Sequence, residues 1–373
     1  MRIYWYAPFN NADELEVAAS VCRPGDDLTY ESLASRFGKD LPAASDAFRL
    51  VRDLHEPAGE SGPRANVLTR SQVAWQRAIA RERLLRSGSF DLIHIHTYNM
   101  FTDWLAFPAL RRFGVPIVAS IHNVLPHERR GPERIERAMH RLGYKACDRL
   151  LVAHDTLRQR LVDEFGIDAA TIGVIPLPVC EAEATNNPDA LAPKMMLFYG
   201  TLRHNKGIPV LLDAIGRIPA DENVRFHFAG RGEPDLERLV SRAAENDPRI
   251  TAEIGWVSHE RQAELLSLAW ALLLPYTEFA AQSGVLRNAY SFHVPVLASA
   301  IGALGAAVEE DASGWLVPPG DPATLADTII ECAHDPQRRS AMAHATEAIA
   351  THRRPARIGS QIRDQYDRVT RSH

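Results

Sequence analysis

Short apolar runs alternate along the whole chain with longer segments in which apolar residues recur every three or four positions. The short runs have the length of buried strands, and the longer segments have the period of amphipathic helices. Repeated strand and helix units of this kind are typical of α/β proteins with parallel sheets. The predicted strands are Ile3–Tyr6, Leu92–His96, Ile117–Ile121 and Arg149–Ala153 in the first half, and Met195–Tyr199, Val224–Ala229, Thr251–Ile254, Ala271–Leu274 and Val296–Ser299 in the second.

The alternation is interrupted between Gly166 and Pro193. There the segment Val174–Val179 predicts a last strand, and the Glu-, Ala- and Asn-rich sequence after it predicts a linker. A chain of 373 residues exceeds the size at which one hydrophobic core usually keeps growing, so we expect two domains. The predicted division is a first domain at 1–175, a linker at 176–194, a second domain at 195–354 and a C-terminal helix at 355–373. Apolar residues at Ile358, Ile362 and Tyr366 predict that this last helix packs back on the first domain.

Composition and charge exclude several classes of protein. With 46% hydrophobic and 24% charged residues the chain has the composition of a globular enzyme. A net charge of -5 argues against a nucleic-acid-binding protein. The four cysteines are far apart and form no Cys-x-x-Cys pair, so we expect neither a zinc site nor a disulfide framework, and a reducing cytoplasm fits best. No run of about eighteen uncharged apolar residues occurs, so no segment is expected to span a membrane.

Basic residues are clustered in the first half of the chain. They are Arg111, Arg112, Arg129, Arg130, Arg134, Arg137 and Arg141. An ordinary solvated helix face is the favoured interpretation, because scattered surface charge is common. The alternative is a surface that attracts anionic lipid or a diphosphate-bearing acceptor.

The most informative string is Phe198–Gly207, which follows a predicted strand and precedes the helical segment Ile208–Ile218. Glycines let backbone N–H groups approach an anion, and the following helix presents its positive end to that anion. Arg203 and Lys206 would then neutralise a diphosphate. An ordinary strand–turn–helix connection explains this string equally well on its own.

A second string downstream favours the functional interpretation. Its parts are Leu274–Tyr276, Gln282–Val285, Pro295–Ser299, Gly302–Leu304 and Gly314–Asp321. Together with the turn, this order resembles the C-terminal domain of the family 4 glycosyltransferases, also called glycosyl transferases group 1. The resemblance covers most of the chain. It implies an α/β GT-B fold, in which two Rossmann-like domains face each other across a cleft, the first binding the acceptor and the second a nucleotide sugar.

The resemblance also assigns the donor-binding residues. In that family a Gly-x-Leu-x-x-x-Lys-Gly turn binds the donor diphosphate, and the matching residues here are Gly200, Leu202, Lys206 and Gly207. The family usually has an arginine after the first glycine, where this chain has Thr201, so Arg203 is the candidate for the missing charge.

The family's pair of glutamates is absent, because Ala280 and Asn288 stand at the corresponding positions. Asn288 can replace the second glutamate only in part, through its amide oxygen. The string Gln282, Ser283, Gly284 and Val285 is interpreted as a replacement that offers small residues, backbone donors and a side-chain amide to the diphosphate and sugar. We therefore expect a divergent subgroup of the family that still binds its donor.

In the first domain His122 ends a predicted strand, as a histidine does in many relatives near the reacting sugar, and it is the first candidate catalytic residue. Asp13, in the first helix, is the second, although a helix N-terminus favours acidic residues for structural reasons alone. The expected acceptor-binding residues are Asn10, Asn11, His96 and Asn123. His94 and His96 are predicted to point to opposite faces of their strand, with His96 the better candidate because it ends the strand.

The resemblance implies transfer of a sugar from a UDP- or GDP-linked donor to a hydroxyl acceptor, with retention favoured and inversion as the alternative. A lipid-linked saccharide of a bacterial surface or secreted glycan is the implied acceptor, with peripheral binding at the inner face of an anionic membrane. Neither a cofactor nor a metal is expected, because no convincing Asp-x-Asp motif or Cys/His cluster occurs. The alternatives are a sugar-nucleotide epimerase or hydrolase on the same fold, and a non-catalytic sugar-nucleotide-binding partner.

Overall fold

The computed structural model describes residues 1–7, 12–33, 49–54, 78–79, 81–98, 106–125, 132–182, 193–278 and 283–372. The chain forms two compact units. The first comprises Met1–Pro178 together with Pro355–His373, and the second comprises Val179–Arg354. Each unit contains a parallel β-sheet with helices in its connections.

The sheet of the first unit has seven strands in the order β3-β2-β1-β4-β5-β6-β7. All neighbouring pairs are parallel. The strands are β1 (Arg2–Tyr6), β2 (Asp27–Leu33), β3 (Arg49–Leu54), β4 (Leu92–Ile95), β5 (Ile117–Ile121), β6 (Arg149–Val152) and β7 (Ile172–Val174). Its helices include α1 (Ala12–Val21), α2 (Ala106–Leu110), α3 (Glu133–Lys145) and α4 (Asp155–Phe165).

The sheet of the second unit has six parallel strands in the order β10-β9-β8-β11-β12-β13. The strands are β8 (Lys194–Tyr199), β9 (Val224–Gly230), β10 (Ile250–Ile254), β11 (Ala271–Leu274), β12 (Val296–Ser299) and β13 (Gly314–Val317). The helices of this unit are α5 (Ile208–Arg217), α6 (Pro234–Asn246), α7 (His259–Leu268), α8 (Gly284–Ser291), α9 (Gly302–Glu310), α10 (Pro322–His334) and α11 (Pro336–His352).

The central strands are buried on both faces. Every residue of β5, β11 and β12 is buried, which explains why these strands are nearly continuous apolar runs. The nine predicted strands are confirmed, each to within one residue at either end. The last strand of the first unit was misplaced, because β7 ends at Val174, where the predicted strand began. The strands β2, β3 and β13 were not predicted.

The last helix, α12 (Pro355–Ser372), belongs to the first unit and lies against α1. Ile358, Ile362 and Tyr366 enter the same apolar cluster as Trp5. The two helices approach so closely that a Cβ on Gly359 would lie 2.5 Å from Cβ of Ser20. None of the helices in the described part of the chain is both long and apolar enough to span a bilayer.

In both sheets the strand order reverses at one place, between β1 and β4 in the first and between β8 and β11 in the second. Loops that leave the carboxyl ends of such strand pairs run in opposite directions and open a crevice. The predicted donor turn follows β8, and His96 directly follows β4. The fold therefore places these residues at the reversal point of their own sheet.

Candidate functional site

The predicted donor turn, Gly200–Gly207, is shaped by its last glycine, and we call it the donor turn below. After β8 the chain forms a short 3₁₀ turn, His204–Lys206, and then α5 starts at Ile208. Gly207 has φ of 69°, and a Cβ there would lie 1.8 Å from the carbonyl oxygen of Pro275. Only glycine fits both requirements. The turn is also tied to the loop after β11, where the amide of Thr277 donates to the carbonyl of Asn205 at 3.0 Å.

The same turn lies backbone to backbone against the loop after β9. A Cβ on Gly230 would lie 2.0 Å from the carbonyl oxygen of Gly200, and one on Gly232 would lie 1.9 Å from that of Leu202. The amide of Glu233 donates to the carbonyl of Leu202 at 2.9 Å. The turn is thus fixed by neighbouring main chain on two sides.

Lys206 carries its charge at the centre of this turn. Its Nζ would lie 3.1 Å from a Cβ placed on Gly200, and it lies 5.5 Å from the centre of the Tyr276 ring. Burial, reinforced by the charge of Arg203, lowers the pKa of Lys206 to about 8. A partly desolvated ammonium group beside a second cation gains most from a bound anion.

Helix α8 begins beside the turn. Cγ2 of Val285, in its first turn, would lie 3.3 Å from a Cβ on Gly200, and Gly284 is exposed. Ser283 is buried, and its hydroxyl accepts from the amide of Leu286 at 3.4 Å. Ser283 therefore caps the helix, and its predicted contact with the donor stays a prediction. The N-terminus of α8 lies next to Gly200, and α5 begins two residues after Lys206, so the positive ends of two helices belong to this region and favour an anion there.

The other predicted donor residues differ in exposure. Thr201 and Arg203 are exposed in the turn, and Asn288 is half-buried one turn into α8. Gln282 and Ala280 lie outside the described residues, so no geometry is assigned to either. The role of all these residues stays a prediction.

His204, which the sequence placed beside Lys206, faces two carboxylates at the start of α6. Its Nε2 lies 2.9 Å from Glu233 and 3.0 Å from Asp235. These three groups are close enough to hold a cation between them, and His204 and Asp235 are exposed. The expected absence of a metal therefore stays a prediction.

Near the carboxyl edge of the first sheet, His94 and His96 lie against Trp5, and His122 lies against His96. His94 and His96 were predicted to point to opposite faces, and that prediction was wrong. Residues two apart on a strand share a face, and the two rings lie 4.1 and 5.0 Å from the Trp5 ring. The His122 ring stands edge-on to His96, with 5.2 Å between centroids.

The two strand histidines differ in their partners. His94 is held by the Tyr366 hydroxyl of α12 and by Ser120, whose Oγ lies 2.9 Å from Nε2. His96 is 7% exposed, and its Nδ1 has no hydrogen-bond partner in the described part of the chain. Its Nε2 lies 3.9 Å from a carboxylate oxygen of Glu14. Burial lowers the pKa of His94 to about 3 and that of His96 well below its usual range, so both rings are neutral near pH 7.

His122 is oriented by the main chain. Its Nε2 donates to the carbonyl of His96 at 2.9 Å, which fixes a hydrogen on that nitrogen. Asn123, the next residue, is half-buried. Asp13 lies in α1, but its side chain is outside the described part, as are Asn10 and Asn11 entirely. The catalytic and acceptor roles of these residues stay predictions.

Two residues at the donor turn, one in it and one packed against it, were given no role in the sequence analysis. Asn205 has a buried Oδ1 with no partner among the described residues, and Tyr276 lies under the Lys206 ammonium group. The position of Asn205 between His204 and Lys206 was the available signal for the first. Tyr276 could be found only from the packing of β11 against β8.

Two family models cover most of the chain. The model described as Glycosyltransferase Family 4 matches residues 30–182, and the model described as Glycosyl transferases group 1 matches residues 193–335. The second match contains the donor turn and the start of α8.

Curated relatives of the chain are also glycosyltransferases. A GDP-mannose:glycolipid 4-beta-D-mannosyltransferase of Xanthomonas campestris is 30% identical over 251 residues, which are 63% of this chain and 68% of that protein. A phosphatidyl-myo-inositol mannosyltransferase of Mycobacterium leprae is 30% identical over 297 residues, 78% of this chain and 76% of that protein.

Among solved structures, sucrose-phosphate synthase from Thermosynechococcus elongatus matches with a TM-score of 0.79 and 18% identity, over 100% of both chains. At that identity the likeness shows the fold alone, which is GT-B. The family models and the sequence relatives are those of glycosyltransferases, and the solved structure shares the fold described above. The chain therefore belongs to the GT-B glycosyltransferases of family 4, the glycosyl transferases group 1, and it is a glycosyltransferase.

Proposed function

We propose that this glycosyltransferase takes its sugar from a nucleoside diphosphate sugar whose diphosphate lies on the turn Gly200–Gly207. The observation that carries the proposal is Lys206, whose ammonium group stands partly desolvated over the glycine backbone with its pKa lowered to about 8. A diphosphate would supply the missing negative charge, and the N-termini of α5 and α8 would add backbone N–H donors. Asn205 would offer its unpartnered Oδ1 to a hydroxyl of the donor.

The donor we propose to test first is GDP-mannose, and the proposed acceptor is a hydroxyl of a glycolipid. The Xanthomonas relative is named for GDP-mannose and a glycolipid, and the Mycobacterium relative for phosphatidyl-myo-inositol and mannose. Four unpaired cysteines favour a reducing location, so we place the reaction at the cytoplasmic face of a membrane.

Retention is the proposed stereochemistry. An inverting transfer needs a general base for the acceptor hydroxyl, and burial makes His94 and His96 poor bases by lowering their pKa. In a retaining transfer the leaving phosphate takes the acceptor proton, so no side-chain base is needed. An inverted product would contradict retention and point to His122 or Asp13 as the base.

The donor assignment is tested by replacing Lys206 with alanine. Loss of a charge-assisted phosphate contact should weaken binding of GDP-mannose or UDP-glucose about ten- to a hundred-fold, measured by titration calorimetry. The matched control is Arg225→Ala, which removes an exposed cation near the amino end of β9, at the opposite edge of the sheet. Equal affinity in Lys206→Ala and the native protein would refute the assignment of the turn.

A further inference from the structure

Helix α3 of the first unit exposes an apolar stripe. Ile135 is 56% exposed and Leu142 is 59% exposed, and Met139 between them is half-buried. These residues are four and three positions apart, so they lie along one face of the helix. Large apolar side chains in such a row are unfavourable in water, and a contiguous exposed stripe indicates an interaction surface.

The orientation of this stripe is fixed by the opposite face of the helix. Glu136, His140, Gly143 and Tyr144 are buried. The Tyr144 hydroxyl donates to the carbonyl of Val124 at 2.8 Å, which ties α3 to the segment that follows β5 and His122. The helix cannot turn its apolar stripe inward without exposing these groups.

A basic stripe runs beside the apolar one. Arg134, Arg141 and Lys145 are exposed and spaced seven and four positions apart, so they share a second outward face. No carboxylate of the described residues lies within ion-pair distance of these three cations. Arg137, on the side nearer the core, is by contrast paired with Glu164 at 3.2 Å.

We propose that α3 is a membrane-docking helix that seats Ile135, Met139 and Leu142 in the interface of an anionic bilayer. An apolar stripe flanked by unpaired cations is the arrangement of helices that lie in a bilayer surface. The chain as a whole carries a net charge of -5, so attraction to anionic lipid has to come from a local basic surface. The same cations would repel the basic stripe of a second copy.

The position of the helix agrees with this role. α3 follows β5, so its first turn lies toward the carboxyl edge of the sheet, where His122 and His96 are located. A bilayer at this surface would hold a lipid-linked acceptor close to that edge. The idea that this surface brings the enzyme to its acceptor rests on the proposed function, whereas the binding of the surface to lipid does not.

The test is binding of the full chain to vesicles of phosphatidylcholine with about one third phosphatidylglycerol, compared with pure phosphatidylcholine, by flotation at low and at physiological salt. The native chain should float with the anionic vesicles only, and less at higher salt. Replacing Arg134, Arg141 and Lys145 together with glutamine should lower the partition coefficient at least about ten-fold, since each cation near such a surface contributes several-fold. Ile135→Gln with Leu142→Gln should lower it by a similar factor.

The matched control lies on α6 of the second unit, which carries the same residue types on an exposed face. Leu239 is 38% exposed, and Arg238 and Arg242 are exposed beside it. Glutamine at these three positions should leave vesicle binding unchanged. Melting curves and nucleotide binding are measured for every variant. Neither measurement involves lipid, so together they separate a failure of this surface from a failure of the donor site.

Two results would overturn the proposal. One is that the native chain binds anionic vesicles no better than neutral ones, or that the α3 variants bind as well as the native chain. The other is that the native chain forms a dimer that the Ile135→Gln and Leu142→Gln variant loses while vesicle binding is absent, which would assign the stripe to a second copy.

Discussion

Lys206 is the residue on which the proposed donor site depends most. Its ammonium group lies over the Gly200 backbone and the Tyr276 ring, where burial and Arg203 both disfavour the charge. Its pKa is about 8 in the folded protein, against an ordinary value of 10.5. Between these values the unfolded chain binds more protons than the folded one, so this group makes the ligand-free protein more stable as the pH rises.

A bound diphosphate reverses that balance, because it favours the charged form of Lys206. Donor affinity should therefore fall as the pH rises above about 8, and binding near that pH should be accompanied by proton uptake. Calorimetric titration with GDP in buffers of different ionisation enthalpy measures the protons taken up. Lys206→Ala should abolish the uptake, and an uptake that persists in this variant would assign it to another group.

At the scale of elements, the donor turn depends on main-chain contacts between three loops. Gly230, with φ of 145°, leaves no room for a Cβ beside the Gly200 carbonyl, and Gly207 leaves none beside Pro275. The loops after β8, β9 and β11 therefore have to move together. A change in one of these glycines should alter donor binding without removing any group that contacts the donor.

Gly230→Ala tests this dependence. The variant combines backbone strain with a main-chain clash, so we expect a loss of about 2 to 3 kcal/mol in the free energy of unfolding and weaker nucleotide binding. Gly216 in α5 is the matched control, because a Cβ there meets nothing within 4 Å. Gly216→Ala should raise stability by about 0.5 kcal/mol and leave binding unchanged. Native affinity in a folded Gly230→Ala variant would show that the loops are not coupled.

Elements with a clear apolar period could be predicted, and those without one could not. The fully buried strands β5, β11 and β12 are nearly continuous apolar runs, and their predicted bounds match the structure. Two strands at one edge of the first sheet, β2 with the sequence DLTYESL and β3 with RLVRDL, carry too many polar residues for that signal. The position of β3 at the edge of its sheet explains this composition.

Site residues followed a similar rule. Gly200, Lys206 and Gly207 could be found because the spacing of the proposed phosphate-binding turn is visible in the sequence. The contact of Tyr276 with Lys206 depends on strand order and ring packing. So do the contacts of His94 and His96 with Trp5, and that of His122 with His96. The apolar stripe on α3 was not predicted to face solvent, because the spacing of Ile135 and Leu142 does not show which side of the helix is exposed.

At the scale of the whole molecule, the chain consists of two parallel sheets that each reverse their strand order once. The candidate acceptor residues belong to the first unit and the donor turn to the second. On the proposed function, the first unit binds the acceptor and the second binds the donor.

The direct test of this proposal is to measure sugar transfer with and without an acceptor. Mannose-labelled GDP-mannose is incubated with the native chain, Lys206→Ala or Arg225→Ala, with and without a glycolipid acceptor, and GDP and glycosylated lipid are quantified by mass spectrometry. We predict that one sugar is transferred for each GDP released, and only with acceptor present. The rate should be about ten-fold or more lower in Lys206→Ala and unchanged in Arg225→Ala. Equal GDP release without acceptor, or conversion of the donor with no transfer, would contradict the proposed function.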